Sequence, residues 1–196
     1  MRIIVLVAKS SVGKDKILNT VVKLNPHVKT IVSYTSRPIR QGEINGVTYH
    51  YISDEQVQTM LNNGEFLEHR IYKTVKGNWI YGVGKSSFDL NSEDVYIVIL
   101  DLQGLKQLKA YLEENNKSDC LISIYIKASG RTRLLRSLQR ESNLNDDMCK
   151  EVCRRYISDE EDMIGAEEYC NVTLINESEL DFFDCVDYIK NLTMED

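Results

Sequence analysis

The sequence predicts an α/β fold: a parallel sheet with helices on both faces, interrupted by a small α+β insertion and by a helical one. Three observations predict it. Residues 2–8, 95–100 and 121–126 are almost unbroken apolar runs, the texture of strands buried on both faces of a parallel sheet. Helical stretches with one apolar face separate these runs, so the connections are right-handed crossovers that lay helices over the sheet. Residues 33–91 and 130–155 break the rhythm, the first with short, alternating, aromatic pieces and the second with basic helix.

Each element follows in order. The first strand, 2–8, runs into a loop and a helix over 14–24 that carries Ile17, Leu18, Val21 and Val22 on one face and stops at Asn25-Pro26. In the first insertion, alternation predicts a strand over 47–51, a helix capped by Ser53 with Gln56 at its third position, and a strand over 79–83. The core resumes with strand 95–100, helix 104–114 and strand 121–126. After the basic insertion come a short strand, 171–175, and a helix capped by Ser178 and Asp181, with Phe183, Val186, Ile189 and Leu192 expected to face inward.

Composition bounds the function. A chain of 196 residues suits one core with small insertions. With 24 Lys and Arg against 30 Asp and Glu, the net charge of -6 argues against a nucleic-acid coat or a binder of anionic membranes. The opening apolar run is too short for a signal-peptide core or a bilayer span, so a cytoplasmic location and small-molecule partners are expected. Five cysteines without a CxxC pair make a disulfide framework or zinc ribbon unexpected, and Cys149 and Cys153, four apart, read as helix packing. Charge is unevenly spread. Residues 159–196 hold 13 acidic groups and one basic group, Lys190, for -12, while the rest carries +6. Eight of the ten arginines fall within 37–40 and 131–155.

Chemistry enters at Ala8-Lys9-Ser10-Ser11-Val12-Gly13-Lys14-Asp15, which compares with the phosphate loop G-x-x-x-x-G-K-[ST]. Such a loop wraps backbone N–H groups round a β-phosphate, uses the N-terminus of the next helix as an anion site, and sets one lysine against the β- and γ-phosphates. Gly13 and Lys14 meet that need in the expected strand-to-helix setting. Ala8 replaces the first glycine and Asp15 replaces the hydroxyl that ligates magnesium, although a carboxylate still reaches a hard cation directly or through water. A similar string, Gly82-Val-Gly84-Lys85-Ser86, has Trp79 at the distal glycine position and follows an aromatic strand, so it reads as a decoy.

The next cluster, Ser33-Tyr-Thr-Ser-Arg37-Pro-Ile-Arg40-Gln-Gly-Glu43-Ile-Asn-Gly-Val-Thr-Tyr49, places two arginines three apart before a tyrosine, donors able to converge on one phosphate. It resembles the nucleoside-monophosphate-binding segment of guanylate kinases, S-x-T-[TS]-R-x-x-R-x-G-E-x-[DN]-G-x-x-Y. The resemblance continues in register through Gly64-Glu-Phe-Leu-Glu68, Tyr81-Gly82 and Ile99-Leu-Asp101-Leu-Gln-Gly104. It implies a P-loop NTPase-type core of residues 1–32, 92–130 and 156–196, a GMP-binding insertion over 33–91 and a lid over 131–155. It also implies an ATP site at Ala8 to Asp15, and GMP contacts from Ser33, Arg37, Arg40, Tyr49, Glu68, Tyr81 and Asp101. Asp15 and Asp101 would serve Mg2+. Catalytic roles fall to Lys14 and the lid arginines Arg136, Arg140 and Arg155, in a monomer or homodimer that phosphorylates GMP or dGMP.

The chemistry of the base agrees. Guanine presents N1–H and an amine side by side, so ionised Glu68 accepts from both, whereas the N1 acceptor of adenine repels it. Three departures leave the acceptor open. Val83 stands where the family has a hydroxyl donating to guanine O6, Ile99 where it has a first aspartate, and 71–80 is about four residues longer than usual. A kinase for another deoxynucleoside monophosphate is one alternative. A non-catalytic guanylate-kinase-like module that binds a phosphorylated peptide or a nucleotide is the other, and Lys14 with the arginine-rich lid weighs against it.

Overall fold

The computed structural model describes residues 1–40, 42–74, 77–140 and 145–194. Residues 41, 75–76, 141–144 and 195–196, which fall in the expected insertions and the tail, lie outside that description.

The central strand explains the core. β1 (Arg2–Val7) has residues 3–7 at 0% exposure because each face meets a different layer. Ile3, Val5 and Val7 pack with α3 (Leu102–Glu114), whereas Ile4 and Leu6 pack with α1 (Lys14–Leu24) and α7 (Glu179–Leu192). Such two-sided burial needs the continuous apolar run seen in the sequence. Its neighbours are β7 (Val95–Leu100) and β8 (Leu121–Lys127), and the short β2 (Lys29–Thr30) and β9 (Val172–Ile175) close the edges. The strand order is β2-β7-β1-β8-β9, all parallel.

The first insertion forms a second sheet, β4-β3-β6-β5. Its strands are β3 (Tyr34–Thr35), β4 (His50–Tyr51), β5 (Phe66–Thr74) and β6 (Gly77–Gly84), and α2 (Asp54–Asn62) packs Val57 against Phe66 and Ile80. The strand expected over 47–51 shrinks to His50–Tyr51, because Gly46, at φ 79°, starts a turn in which the Val47 and Thr48 amides bond back to the Ile44 carbonyl. The decoy glycines belong to β6. A Cβ on Gly82 would lie 2.7 Å from the Glu68 carbonyl oxygen and 2.8 Å from the Phe66 ring, so this glycine serves close strand pairing.

The second insertion is α4 (Gly130–Arg140) and α5 (Asp146–Asp162), and α5 runs unbroken through the expected boundary at 155. A short α6 (Ala166–Tyr169) leads into β9. Both expected capping boxes form, at Ser53 with Gln56 and at Ser178 with Asp181. On α7, Val186 and Ile189 are buried and Leu192 packs against the same core, as expected, whereas Phe183 is 51% exposed and Phe182 and Cys185 are buried instead. Phe183 lies about 100° round the helix from Phe182, and the 3-4 spacing of 182, 185, 186 and 189 keeps one face inward. All five cysteines are free, with Cys149 half-buried and Cys153 exposed. Among the described residues no helix is long and apolar enough to cross a membrane.

Candidate nucleotide site

A cavity of about 740 Å³ opens where β1 and β7 end, between the core sheet, the first insertion and α5. Open parallel sheets bind ligands at this end of their strands. Of the expected site residues, Ala8, Ser10, Lys14, Asp15, Ser33, Arg40, Tyr49, Tyr81, Asp101 and Arg155 line it.

At one end lies the loop Ala8–Asp15. Gly13, at φ 103°, turns the chain into α1, and a Cβ there would meet the Asn176 amide at 2.8 Å. Val12 is buried in the core, and its carbonyl accepts from Asn176 Nδ2 at 2.8 Å and from Arg136 Nη1 at 2.9 Å. Arg136 therefore pins α4 onto the loop and stays off the cavity wall. Ser11 pairs with Ser137 at 2.6 Å and Lys9 with Glu160 at 2.5 Å. The Ser10 amide donates to Asp159 at 2.6 Å, and Arg133, itself buried, ties Asp159 (2.8 Å), Glu160 (2.5 Å) and the Ser10 carbonyl (3.1 Å) together.

Opposite the loop, the wall that the first insertion contributes is built round Glu43. Its carboxylate accepts from Arg37 Nη1 and Nη2 at 3.0 and 2.8 Å, from the Arg40 amide at 2.7 Å and from Tyr51 Oη at 2.7 Å. Burial opposes its ionisation, yet these bonds hold the carboxyl down to about 2. Arg37 is 4% exposed, donates from Nε to Tyr81 Oη at 3.1 Å, and sits behind Tyr49, Tyr81 and Arg40 rather than on the cavity surface. Burial raises the Tyr49 phenol to about 12, so it is a neutral donor at pH 7.

The third end holds an ion cluster. Glu68 is 0% exposed and lies off the cavity surface, and among the described residues neither carboxylate oxygen has a hydrogen bond of full geometry, the Val83 amide being a weak approach. Arg70, 8% exposed, approaches it at 3.3 Å through Nε and reaches Asp101 at 2.9 Å through Nη1. Burial pushes the Glu68 carboxyl up to about 7, against Arg70 and the Val83 amide and with Asp101 acting in the same direction. Asp101 also caps α3, accepting from the Gly104 amide at 2.7 Å, and its other oxygen accepts from Tyr72. A Cβ on Gly104 would meet Arg70 Nη1 at 2.6 Å, so the glycine leaves room for the guanidinium.

The chemistry of the donors tests the expected magnesium site. Mg2+ keeps several waters and needs one or two carboxylates beside substrate phosphates. Asp15 fits, being 73% exposed on the cavity wall and 3.6 Å from Lys14 Nζ. Asp101 has both oxygens engaged by Gly104, Arg70 and Tyr72. Among the described residues no three His, Cys, Asp or Glu side chains form a metal-binding group.

From α5, Arg154 and Arg155 reach the cavity, each within ion-pair distance of Glu151, whereas Arg140 is exposed at the end of α4 away from it. Sequence reasoning singles out neither Arg70 nor Tyr72. The available signal was the two-residue period of β5, which puts both on the face of Glu68. It also leaves Arg133 out of the site, because nothing in a basic run tells which arginine turns inward.

A parallel sheet whose first strand turns through a Gly-Lys loop into a helix, with a cavity at the strand ends, defines a P-loop nucleotide-binding protein. The family model described as guanylate kinase matches residues 1–190, and the chain belongs to the guanylate kinase family, whose activity is ATP-dependent phosphorylation of GMP. The guanylate kinase of Methylobacillus flagellatus is 29% identical over 172 residues, covering 87% of this chain and 79% of that one. That of Alkalilimnicola ehrlichii is 34% identical over 136 residues, 68% and 62% of the two chains. In fold, the crystal structure of guanylate kinase from Anaplasma phagocytophilum superposes with a TM-score of 0.66 at 23% identity, over 98% of this chain and 84% of that one.

Proposed function

We propose that this chain transfers the γ-phosphoryl group of ATP to GMP, giving ADP and GDP, and accepts dGMP as well. One observation carries the reading: a single cavity joins Lys14 and the N-terminus of α1 to the Arg40, Tyr49 and Tyr81 wall, and Arg70 and Asp101 line it in front of the buried Glu68 carboxylate. Lys14 and the loop amides hold the β- and γ-phosphates, and Arg40, Tyr49 and Tyr81 hold the acceptor phosphate. Arg37 acts through Tyr81 and Glu43, which it positions. Glu68 accepts from guanine, and Ser33 lies on the same wall.

The acceptor phosphate oxygen is already a nucleophile, so no protein base or covalent intermediate is needed. Catalysis is alignment and charge neutralisation of a loose transition state. Arg155, with Arg154, supplies the mobile positive charge over the transferring group, while Arg136 keeps the loop in place and Arg140 joins on closure. Mg2+, held by Asp15 directly or through water, would neutralise charge on the β- and γ-oxygens. We take 33–91 and 131–155 as the units that close over the substrates and exclude water. The enzyme acts on free nucleotides in the cytoplasm.

A coupled ADP-release assay with ATP, Mg2+ and each common NMP and dNMP tests this, alongside Lys14→Ala and Glu68→Gln. Turnover should be fastest with GMP or dGMP, and both variants should lose most of it. No turnover with any acceptor would refute the enzyme, and a preference for adenine or pyrimidine acceptors that ignores Glu68→Gln would refute the guanine site.

A further inference from the structure

Glu68 accounts for two donors of guanine and leaves its O6 and N7 acceptors unread. The residue paired across from it on β6, Val83, is apolar and 3% exposed, and Ile99 on the cavity wall is equally unable to donate. Arg70 is able. It lies two residues along the same strand face, lines the cavity although only 8% exposed, and is aimed by its ion contact to Asp101. Asp101 is itself fixed by the Gly104 amide and Tyr72, so the guanidinium is anchored on a carboxylate that the start of α3 holds in place. Among the described residues the buried Nε has no hydrogen-bond partner, its nearest anion being Glu68 at 3.3 Å, and the ion contact to Asp101 is made through Nη1.

We propose that Arg70 is a specificity-determining residue that donates to the O6 and N7 edge of the acceptor base while Glu68 accepts from N1–H and the 2-amine, making this a site for 6-oxopurine nucleotides. The inference rests on the guanine reading of the acceptor. A guanidinium fork matches two adjacent acceptors, which guanine presents at O6 and N7. Adenine presents an amine beside N7 and so sets a donor against a donor. A pyrimidine has no N7.

The test compares kcat/KM for GMP with three analogues, in the wild type and in Arg70→Met. 6-Thio-GMP weakens the acceptor at position 6, 7-deaza-GMP removes N7, and IMP removes the 2-amine that reports on Glu68. The wild type should favour GMP over 6-thio-GMP and 7-deaza-GMP by about 5- to 150-fold. Arg70→Met should bring both ratios to within about twofold while leaving the GMP to IMP ratio near its wild-type value. Arg70→Lys keeps a cation beside Asp101 without the fork, and should likewise lose discrimination at N7. Should the Met variant lose its circular-dichroism signal, the wild-type ratios and the Lys variant decide the matter. Equal losses on all four acceptors would make Arg70 a structural counter-ion and overturn the proposal, as would wild-type ratios near one. Flat ratios with good GMP turnover overturn this inference alone, whereas turnover of pyrimidine or adenine acceptors without GMP overturns the guanine reading together with it.

Discussion

Replacing Gly104 by alanine sets local propensity against packing, and the two predict opposite signs. Gly104 lies in the first turn of α3, where alanine would stabilise a free helix by up to about 1 kcal/mol. Here the added Cβ would stand 2.6 Å from Arg70 Nη1 and 2.9 Å from Glu68 Oε2, against 3.4 Å or more for an ordinary contact. Arg70 would have to retreat by nearly 1 Å, and retreat strains its 2.9 Å contact to Asp101 inside a buried cluster. Overpacking of this kind costs about 1–3 kcal/mol, more than the propensity gain. We therefore expect Gly104→Ala to lower Tm, by about 2–4 °C for each kcal/mol in a domain of this size. Thermal and urea melts measure it, in the wild-type and Arg70→Ala backgrounds. Without the guanidinium the clash should vanish and the alanine should become neutral or stabilising. A more stable Gly104→Ala, or the same loss in both backgrounds, would refute the packing argument.

Other perturbations probe the remaining parts. Because the Glu68 carboxyl stands at about 7 in the fold against 4.5 ordinarily, the folded state holds a proton that the unfolded chain lacks between those values, so stability should fall as pH rises from about 4.5 to about 7 and then level off. Glu68→Gln should flatten that slope in pH-dependent urea melts, and should abolish the gain in GMP binding across about pH 7 that ionisation of Glu68 provides. Glu43→Gln strips the charge partner from buried Arg37 and should cost about 2 kcal/mol by urea titration at pH 7. The Glu43 carboxyl, held at about 2, contributes stability that is complete above about 4.5 and lost as pH falls towards 2, so this variant should resemble the wild type in acid. Arg133→Met leaves Asp159 without its ion-pair partner and Glu160 with Lys9 alone, and frees the Ser10 carbonyl, so it should raise KM for ATP on the order of tenfold, with GMP affinity little changed. An unaltered KM for ATP would show that the Arg133 latch does not shape the loop.

Local chemistry carries far in this chain. A strand buried on both faces, such as β1 over 3–7, takes apolar residues on both, and Ser53 and Ser178 satisfy helix amides within three residues of themselves, so both features are legible without knowing the fold. The loop at Gly13-Lys14 is legible for the same reason, since its work is done by consecutive backbone amides. Where several local patterns compete, the reading slips. The alternation over 47–51 loses to the turn at Gly46, and the inward stripe of α7 begins one residue earlier than expected.

The division of labour among charged side chains lies beyond local pattern. Arg37 and Arg40 look equivalent in sequence, yet Glu43 draws one behind the wall and leaves the other on the cavity. Arg133 and Arg136 hold the loop, and Arg155 faces the cavity, according to which partner each helix face meets. Arg70 shows it most sharply, since its place depends on Asp101 at the end of β7 and on Gly104 in α3, both more than thirty residues away. Residue type and spacing specify which groups are available for phosphate and base. Distance between charges in a buried space sets their energy, and that distance exists only once the two sheets and α5 have closed round one cavity.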